Sequence, residues 1–307
     1  MQELLPGEAP KPAEGRKADA LPRLRLARVG LPVRLLLAAL AGLALSLSLP
    51  PVGAWPIAFV AIIPLLWLLW DAGPWRGLLL GFVFGVAYFG AVLYWIMLFG
   101  QLAWTGLVFA SAMSLGVFGV LAPAIIRGRH PLMSVVGLAA LWTAIDQGRG
   151  MWPLNGFTWG TLAMSQVPNR ALLPFASVAG GAGLTFVVVC VNGLLLRALV
   201  RVRARPAAAA GLVGACVLLV AWPLVLPAAA PNGRVLSVAT IQTDVRRAQH
   251  LGSIAQDRAV AAAIIRQHER LAPDPPDLAV WGESSLDPGA TDPATLARVR
   301  DAVASSR

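Results

Sequence analysis

The chain has 307 residues, of which 57% are hydrophobic and only 13% are charged, and its mean hydropathy is +0.70. Soluble domains carry about 25% charged residues and disordered chains have low hydrophobicity, so this composition excludes both classes. Two cysteines exclude a disulfide scaffold and a cysteine-rich metal site. The composition therefore predicts an integral membrane protein.

The formal charge of +10 is unevenly distributed along the chain. From residue 234 onward nine Arg balance nine acidic residues, whereas residues 1–231 hold 16 Lys or Arg and six acidic residues. This excess falls between apolar runs, which is typical of membrane topology and not of a nucleic-acid-binding face. We therefore expect no nucleic-acid partner.

Residues 1–30 are polar, basic and rich in proline, and they predict a disordered cytoplasmic tail. The apolar run that follows could complete a signal peptide, but further runs and the lack of a clear cleavage site favour a first membrane anchor. Most runs reach the roughly 20 residues that a helix needs to cross a bilayer, although the fifth is short. About seven spans are therefore predicted in a transmembrane helical domain over residues 31–231, at 33–50, 54–70, 77–99, 102–126, 131–145, 171–196 and 206–230.

Arginines between these runs predict the orientation of the chain. With the tail in the cytoplasm, alternate loops carry Arg76, the pair Arg127 and Arg129, and four arginines between positions 197 and 205. The opposite loops hold no charge except around Asp146, Arg149 and Arg170. The positive-inside rule then places residues beyond 231 on the outer face of the membrane.

Beyond Pro231 the pattern changes to that of an α/β domain, predicted over residues 232–307. Strands alternating with helices favour a parallel sheet. Two strands alone leave both sheet edges open, so we expect a domain that is truncated in this sequence. The predicted elements are strands at 235–241 and 278–281, an amphipathic helix at 253–272 capped by Ser253 with Gln256, and a helix with Asp292 as N-cap and Pro293 at its first position. One face of the amphipathic helix is formed by Ala261, Ile264, Ile265 and His268.

Glu283 is a candidate for chemistry because it directly follows the second predicted strand. In open α/β sheets, active groups gather outside the carboxyl ends of the strands. Partial burial beside Trp281 would raise the pKa of this carboxyl and suit a general base, whereas a solvated loop Glu is the alternative. Ser284 and Ser285 lack a nucleophile-elbow motif, which indicates loop or capping hydroxyls.

Asp146 and Arg149 lie at the outer end of the fifth run, three residues apart, where they can pair on one helix face. Ionisable residues at membrane depth are often functional, but an interfacial ion pair that fixes a helix end is an equal alternative. The aromatic, glycine-rich segment 156–160 predicts a loop that enters the interface, with an aromatic belt as the alternative.

Cysteine and histidine offer no metal site in this sequence. Cys190 and Cys216 lie inside apolar runs, where we expect unreactive core thiols. His130, His250 and His268 have no partner at ligand spacing, and no glycine-rich phosphate loop is present. We therefore expect neither a metal nor a cofactor.

Short motifs recur in a characteristic order from about residue 35 to residue 288. They are LPPVGAWP at 49–56, YWI at 94–96, Trp142 with Asp146 and Arg149, GFTW at 156–159, GGAGLTF at 180–186 with Asn192, VATIQ at 238–242 and VWGE at 280–283. Together they resemble the N-terminal portion of the bacterial apolipoprotein N-acyltransferases, which belong to the carbon–nitrogen hydrolase superfamily. The resemblance implies a membrane α-helical bundle followed by the start of a nitrilase-like α/β domain.

The resemblance also implies a membrane transferase that acts in lipoprotein maturation. In this family a cysteine thiolate takes a fatty acyl chain from a phospholipid and holds it as a thioester, and the α-amine of a diacylglyceryl-cysteine lipoprotein then attacks the thioester. The implied partners are the phospholipid acyl donor, the lipoprotein acceptor and membrane lipid.

The resemblance further assigns roles to particular residues. Glu283 matches the family's catalytic Glu, which activates the thiol, and Asp146, Arg149, Trp159 and Gln242 lie in motifs where we expect substrate to bind. The family's catalytic Lys and Cys follow this Glu, but neither residue type occurs after position 216. We therefore expect the chain as given to be inactive alone.

This sequence departs from the family pattern at four places. The family usually has Glu at the position of Asp146, Phe-Pro-Trp at 157–159, Trp-Pro-Glu at 281–283 and Gly-Asn at 243–244. We interpret these departures as drift in a divergent member of actinobacterial origin.

Two alternatives remain open. The membrane module could act only as an anchor or scaffold for a polyprenol-phosphate mannosyltransferase, with which the homologous module is partnered or fused in some actinobacteria. A transporter that uses Asp146 and Arg149 is the other, although the sequence contains neither a broken-helix pair nor an inverted repeat to support it.

Overall fold

The computed structural model describes residues 29–152, 156–226, 233–242, 253–283, 285–286 and 292–305. The predicted tail up to residue 28, positions 243–244, His250 and Ser284 lie outside these residues. Contacts divide the chain into two compact units, Met1–Ala228 and Ala229–Arg307.

The first unit is helical in its described part. Prolines stand in the first turn of five of its helices, where the missing N–H has no partner to lose. Its helices are α1 (Leu31–Ser46), α2 (Ile63–Leu69), α3 (Pro74–Val92), α4 (Gln101–Ile126), α5 (Pro131–Arg149), α6 (Leu162–Ser165), α7 (Ala176–Arg201) and α8 (Pro206–Ala221). Short 3₁₀ segments lie at Trp55–Phe59, Tyr94–Phe99, Leu173–Phe175 and Trp222–Val225.

Four helical stretches are long and apolar enough to cross a membrane. They are Pro74–Val92, Gln101–Ile126, Leu173–Arg201 and Pro206–Val225. The shorter apolar stretches Leu31–Ser46 and Trp55–Leu69, together with α5, account for the remaining apolar runs. A membrane helical region is thus confirmed, while the figure of about seven spans stays a prediction.

Helices α3 and α4 approach each other at a distance that only glycine permits. A Cβ atom on Gly77 would lie 2.1 Å from the carbonyl oxygen of Gly119, and one on Gly81 would lie 2.1 Å from that of Leu115. Small residues spaced four apart allow such close packing, which drives helix association where lipid provides no hydrophobic force. The contact between α3 and α4 therefore depends on a glycine stripe, formed by Gly77, Gly81 and Gly119, that was not predicted from the sequence.

Close packing extends from α3 to α1 and to the core. A Cβ atom on Gly42 of α1 would lie 2.2 Å from the carbonyl oxygen of Phe84 in α3. Beside it, the buried rings of Phe84, Phe118 and Trp142 pack edge to face, with 4.9 Å between the ring centroids of Phe118 and Trp142. Trp142 of the family motif is thus a core residue that joins α3, α4 and α5.

Asn192, another motif residue, is buried and joins α7 to the segment that leads into α2. Its amide nitrogen donates to the carbonyl oxygens of Ala58 (2.8 Å) and Val188 (2.9 Å). Its amide oxygen accepts from the backbone N–H of Ile62 at 3.1 Å. Asn192 therefore satisfies backbone groups where the chain changes from a 3₁₀ turn to a helix.

Arginines hold together the ends of α2, α4 and α7. Arg127 donates to the carbonyl oxygen of Ala72 (3.3 Å), and Arg197 donates to that of Ile126 (3.0 Å). The guanidinium of Arg197 also lies 4.7 Å from the ring centroid of Trp70. Arg127 and Arg197 therefore lie at the same end of the bundle as Ala72 and Ile126, and we call this end the arginine end.

The second unit contains two parallel strands, β1 (Val238–Ile241) and β2 (Leu278–Trp281), with Ile241 opposite Trp281. Its helices are α9 (Ser253–Glu269) and α10 (Pro293–Ser305). The predicted parallel pairing and both helices are therefore found. Strand β1 begins three residues later than predicted, and α9 ends earlier because prolines follow at 273, 275 and 276.

Side-chain contacts explain the local structure of this unit. The predicted apolar face of α9 is buried, and its His268 accepts a hydrogen bond from the indole N–H of Trp281 (3.2 Å). Asp292 caps α10 as predicted, since it accepts the backbone N–H of Thr295 at 3.1 Å. This N–H and the Thr295 hydroxyl hold the pKa of Asp292 below its usual value. The side chain of Ser253, the other predicted cap, lies outside the described residues.

Replacing Gly81 with alanine should destabilise the first unit by about 1–3 kcal/mol, because the added methyl group overpacks the contact between α3 and α4. The matched control is Gly106→Ala in α4, since no atom lies within 4 Å of a Cβ atom there. Thermal unfolding in detergent micelles measures both variants. Equal midpoints for the two variants would show that the glycine stripe does not limit the packing.

Candidate functional site

Arg149, the last residue of α5, is buried with 7% of its surface exposed. Its Nη1 donates to the carbonyl oxygens of Phe157 and Trp159, both at 2.8 Å. Its Nη2 donates to Oδ1 of Asp146 at 3.0 Å, one turn earlier in the same helix. A single guanidinium therefore attaches the 156–160 loop to the end of α5.

Two glycines define the ends of the 156–160 loop. Gly156 and Gly160 have φ angles of +86° and +74°, which side chains other than glycine rarely adopt. A Cβ atom on Gly156 would also lie 1.9 Å from the carbonyl oxygen of Gly150. The hydroxyl of Tyr88, from α3, donates to the carbonyl oxygen of Gly160 at 2.9 Å. The GFTWG sequence thus forms a fixed loop and not a helical extension.

Aromatic rings surround this loop. The guanidinium of Arg149 lies 4.8 Å from the ring centroid of Phe89, which adds a cation–π contact. The indole of Trp159 packs against that of Trp95 with 5.0 Å between centroids, and Trp159 is still 49% exposed. The guanidinium of Arg149 is therefore buried against Phe89, while the indole of Trp159 is half-exposed on the loop.

A cavity of about 220 Å³ lies beside the ion pair. The residues that line it are Thr143, Asp146, Gln147, Thr158, Thr161, Ala163, Gly181, Ala182 and Thr185. The hydroxyl of Thr185 lies 3.5 Å from Oδ2 of Asp146. The hydroxyl oxygen of Thr143 is buried and has no hydrogen-bond partner within the described parts of the chain. The cavity can therefore hold a small polar group that hydrogen-bonds to threonine hydroxyls.

A backbone kink adjoins this cavity. Gly180 has a φ angle of +61° and interrupts the regular course of α7 just before the cavity-lining residues Gly181 and Ala182. Because such a φ angle favours glycine, the GGAGLTF motif supplies the residue that the kink requires. The motif therefore shapes one wall of the cavity.

Three of the predicted site residues, Asp146, Arg149 and Trp159, are brought together in the first unit. Tyr88 and Thr143 also belong to this site, although neither was predicted from the sequence. Thr143 stands three residues before Asp146 and so shares its helix face, a spacing that could have identified it. Tyr88 carried a weaker signal, as a hydroxyl within an apolar run.

The other two predicted site residues, Gln242 and Glu283, lie in the second unit. Gln242 follows β1 and Glu283 comes two residues after β2. Because Ile241 pairs with Trp281 and the Gly282 N–H donates to the Ile241 carbonyl oxygen (3.3 Å), both residues lie at the carboxyl edge of the sheet. In α/β sheets this edge is where active groups collect.

Glu283 is exposed within the described part of the unit, in agreement with the alternative of a solvated loop Glu. Its role as a general base stays a prediction. The indole of Trp281 donates to His268 of α9 and so packs toward that helix. Ser285 donates its hydroxyl to the carbonyl oxygen of Gly282, which is a turn contact.

Cys190 and Cys216 are buried in α7 and α8, as core thiols would be. Among the residues that the structure describes, no group of three or more His, Cys, Asp or Glu could hold a metal ion.

Replacing Asp146 with asparagine should cost about 3–5 kcal/mol of unfolding free energy, because the buried guanidinium of Arg149 loses its counter-charge. The double variant Asp146→Asn/Arg149→Met should lose less than the sum of the two single variants. Thermal unfolding in detergent measures this coupling, with Asp71→Asn as an exposed-carboxylate control. Strict additivity would contradict a coupled buried pair.

Together, the fold and the site define a class of protein: a helical membrane region that carries a polar cavity, joined to a unit of parallel strands and helices. A family model described as the apolipoprotein N-acyltransferase N-terminal domain matches residues 41–194. This match covers half of the chain, and the chain belongs to the apolipoprotein N-acyltransferase family.

Similar proteins agree with this assignment. The chain is 31% identical to an apolipoprotein N-acyltransferase of Geobacter metallireducens over 268 residues, which are 81% of this chain and 51% of that protein. For the proteins of the same name in Rhizobium meliloti and Gloeobacter violaceus, the identities are 30% and 29%, and the match covers 85% and 75% of this chain. It covers 54% and 46% of those two proteins. The chain thus spans about half the length of the curated relatives it matches.

Proposed function

We propose that this chain provides the membrane region and the catalytic carboxylate of an apolipoprotein N-acyltransferase. The reaction transfers a fatty acyl chain from a phospholipid to the N-terminal amine of a diacylglyceryl-cysteine lipoprotein. The observation that carries this proposal is the family match over residues 41–194. The position of Glu283 at the carboxyl edge of a parallel sheet supports it.

In the proposed mechanism Glu283 is the base of the first half-reaction. Its carboxylate takes the proton of a cysteine thiol, and the thiolate attacks the ester carbonyl of the phospholipid. The ester C–O bond breaks, the lysophospholipid alkoxide takes up the proton, and the acyl chain stays on sulfur as a thioester. In the second half-reaction the lipoprotein α-amine attacks the thioester, Glu283 accepts the amine proton, and the thiol is restored.

The cysteine and a lysine that stabilises the oxyanion follow the Glu in this family. Residues 284–307 contain neither type, and the curated relatives are about twice as long as the stretch matched here. We therefore expect residues 1–307 alone to be inactive and activity to require the rest of the length found in the relatives.

We assign binding of the acyl donor to the 156–160 loop and the cavity beside it. The buried Arg149 fixes the loop through two carbonyl oxygens, so that the indole of Trp159 is presented outward at a defined place. Tryptophan side chains are enriched at the boundary between acyl chains and head groups, which suits a Trp159 that contacts the acyl donor. Asp146 contributes by balancing the charge of Arg149, and Gln242 is proposed to contact substrate at the sheet edge of the second unit.

The same proposal includes the topology of the chain. Residues 1–30 form a cytoplasmic tail, residues 31–231 cross the bacterial cytoplasmic membrane about seven times, and residues 232–307 begin a nitrilase-like domain on the outer face. The arginine end supports this orientation, because positive loops face the cytoplasm. The alternative of an anchor for a mannosyltransferase gains no support, since the relatives described above all carry the acyltransferase name.

Glu283→Gln should abolish thioester formation in a protein that joins residues 1–307 to the remaining half of the enzyme, because the amide cannot accept the thiol proton. Membrane insertion should be unchanged. Glu269→Gln, an exposed glutamate at the end of α9, is the matched control and should retain activity. The acyl-enzyme is measured by intact mass. Normal thioester formation in Glu283→Gln would refute the assigned role.

Arg149→Ala should slow the first half-reaction with phospholipid by about tenfold or more, the equivalent of one charge-assisted hydrogen bond. Aminolysis of a preformed thioester should keep its rate, which separates donor binding from a general loss of structure. Arg170→Ala removes an exposed arginine and serves as the control. If Arg149→Ala uses phospholipid as well as the unaltered enzyme does, the ion pair is only structural.

A further inference from the structure

A second and larger cavity of about 790 Å³ lies between α1, α2 and the carboxyl end of α7. Leu37, Trp67 and Leu199 contribute to its apolar walls. Arg203 is the one charged residue among the described residues that line it. Its volume falls in the range of about 300–1,000 Å³ that is usual for ligand sites.

This cavity, an apolar groove, extends to the arginine end of the bundle, where Val202, Arg203 and Ala204 line it. Arg203 lies on the turn between α7 and α8, and Arg201 and Arg205 flank it at alternate positions. The carbonyl oxygen of Arg201 accepts the backbone N–H groups of Ala204 and Arg205, which offsets the negative end of the α7 dipole. Among the described residues at this end, arginines outnumber acidic residues, of which Asp71 is one. The part of the groove at Arg203 therefore favours an anion.

We propose that this groove binds an anionic glycerophospholipid from the leaflet at the arginine end. One acyl chain lies in the groove against Leu37, Trp67 and Leu199, and the phosphate lies at Arg203. Basic pockets between membrane helices recognise anionic head groups in this way. The aliphatic part of the Arg203 side chain can follow the apolar wall while its guanidinium reaches the phosphate.

The chemistry of the groove selects this occupant over others. A non-helical peptide segment would leave its backbone N–H and C=O groups without partners against apolar walls, which is costly in a membrane. An apolar helix would satisfy its own backbone but would bring no anion to Arg203. A zwitterionic head group brings its own ammonium toward the three arginines on the turn and gains less. An anionic lipid matches both the apolar walls and the charge at Arg203.

The site is distinct from the proposed donor site. Thr185 of α7 contacts Asp146, whereas Val200 of the same helix lines the groove. At about 1.5 Å per residue these positions lie roughly 22 Å apart along the helix axis. The groove therefore holds a lipid near the opposite end of the bundle from the 156–160 loop.

Native mass spectrometry of the full chain tests the proposal, after extraction from vesicles of equal parts phosphatidylglycerol and phosphatidylcholine. The unaltered chain should retain phosphatidylglycerol over phosphatidylcholine. Arg203→Gln should reduce this preference about fivefold, the equivalent of one arginine charge near a membrane surface. Arg129→Gln is the matched control, because Arg129 is exposed on a loop of the same end and does not line the groove.

A second variant tests the apolar part of the site. Leu199→Trp narrows the groove at a residue that is 65% exposed, so folding should not be affected. It should lower retention of both lipids without changing their ratio. Equal retention of the two lipids by the unaltered chain would overturn the proposal. So would an equal loss in Arg203→Gln and Arg129→Gln, because that result would indicate a diffuse positive surface.

Discussion

The close approach of α3 to its neighbours is the constraint on which the rest of the first unit depends. Gly77 and Gly81 place the backbone of α3 directly against α4, and Gly42 places α1 against α3. This position brings Tyr88 and Phe89, near the end of α3, to the 156–160 loop and to Arg149. The site therefore rests on backbone contacts that lie about one to three helical turns away from it along α3.

Within the site, one buried charge is balanced in three ways. A guanidinium without partners is costly inside a membrane. Arg149 is stabilised by a carboxylate, two carbonyl oxygens and an aromatic face. Each of these partners comes from a different place in the sequence. The charge thus links the end of α5, the 156–160 loop and α3, and its partner Asp146 lines the neighbouring cavity together with threonine hydroxyls.

Local sequence signals predicted what local physics decides. The cap at Asp292, the two parallel strands and the pairing of Asp146 with Arg149 depend on residues a few positions apart or on a simple alternation of apolar residues. The glycine contacts and the hydrogen bond from Tyr88 depend on which helices meet, and no spacing in one segment encodes that. The limits of β1 and α9 shifted by a few residues because strand ends and helix ends respond to turns and prolines.

The geometry at Arg149 also restricts how this position can change over time. Its forked side chain donates from one nitrogen to two carbonyl oxygens and from the other to a carboxylate. A lysine has a single nitrogen on a flexible stem and cannot span these three acceptors at once. Replacing Arg149 with lysine would thus keep the ion pair with Asp146 but lose the hydrogen bonds that hold the 156–160 loop. The shape of the arginine side chain therefore limits which residues position 149 can accept during evolution. Counting charge alone would predict that lysine is also accepted.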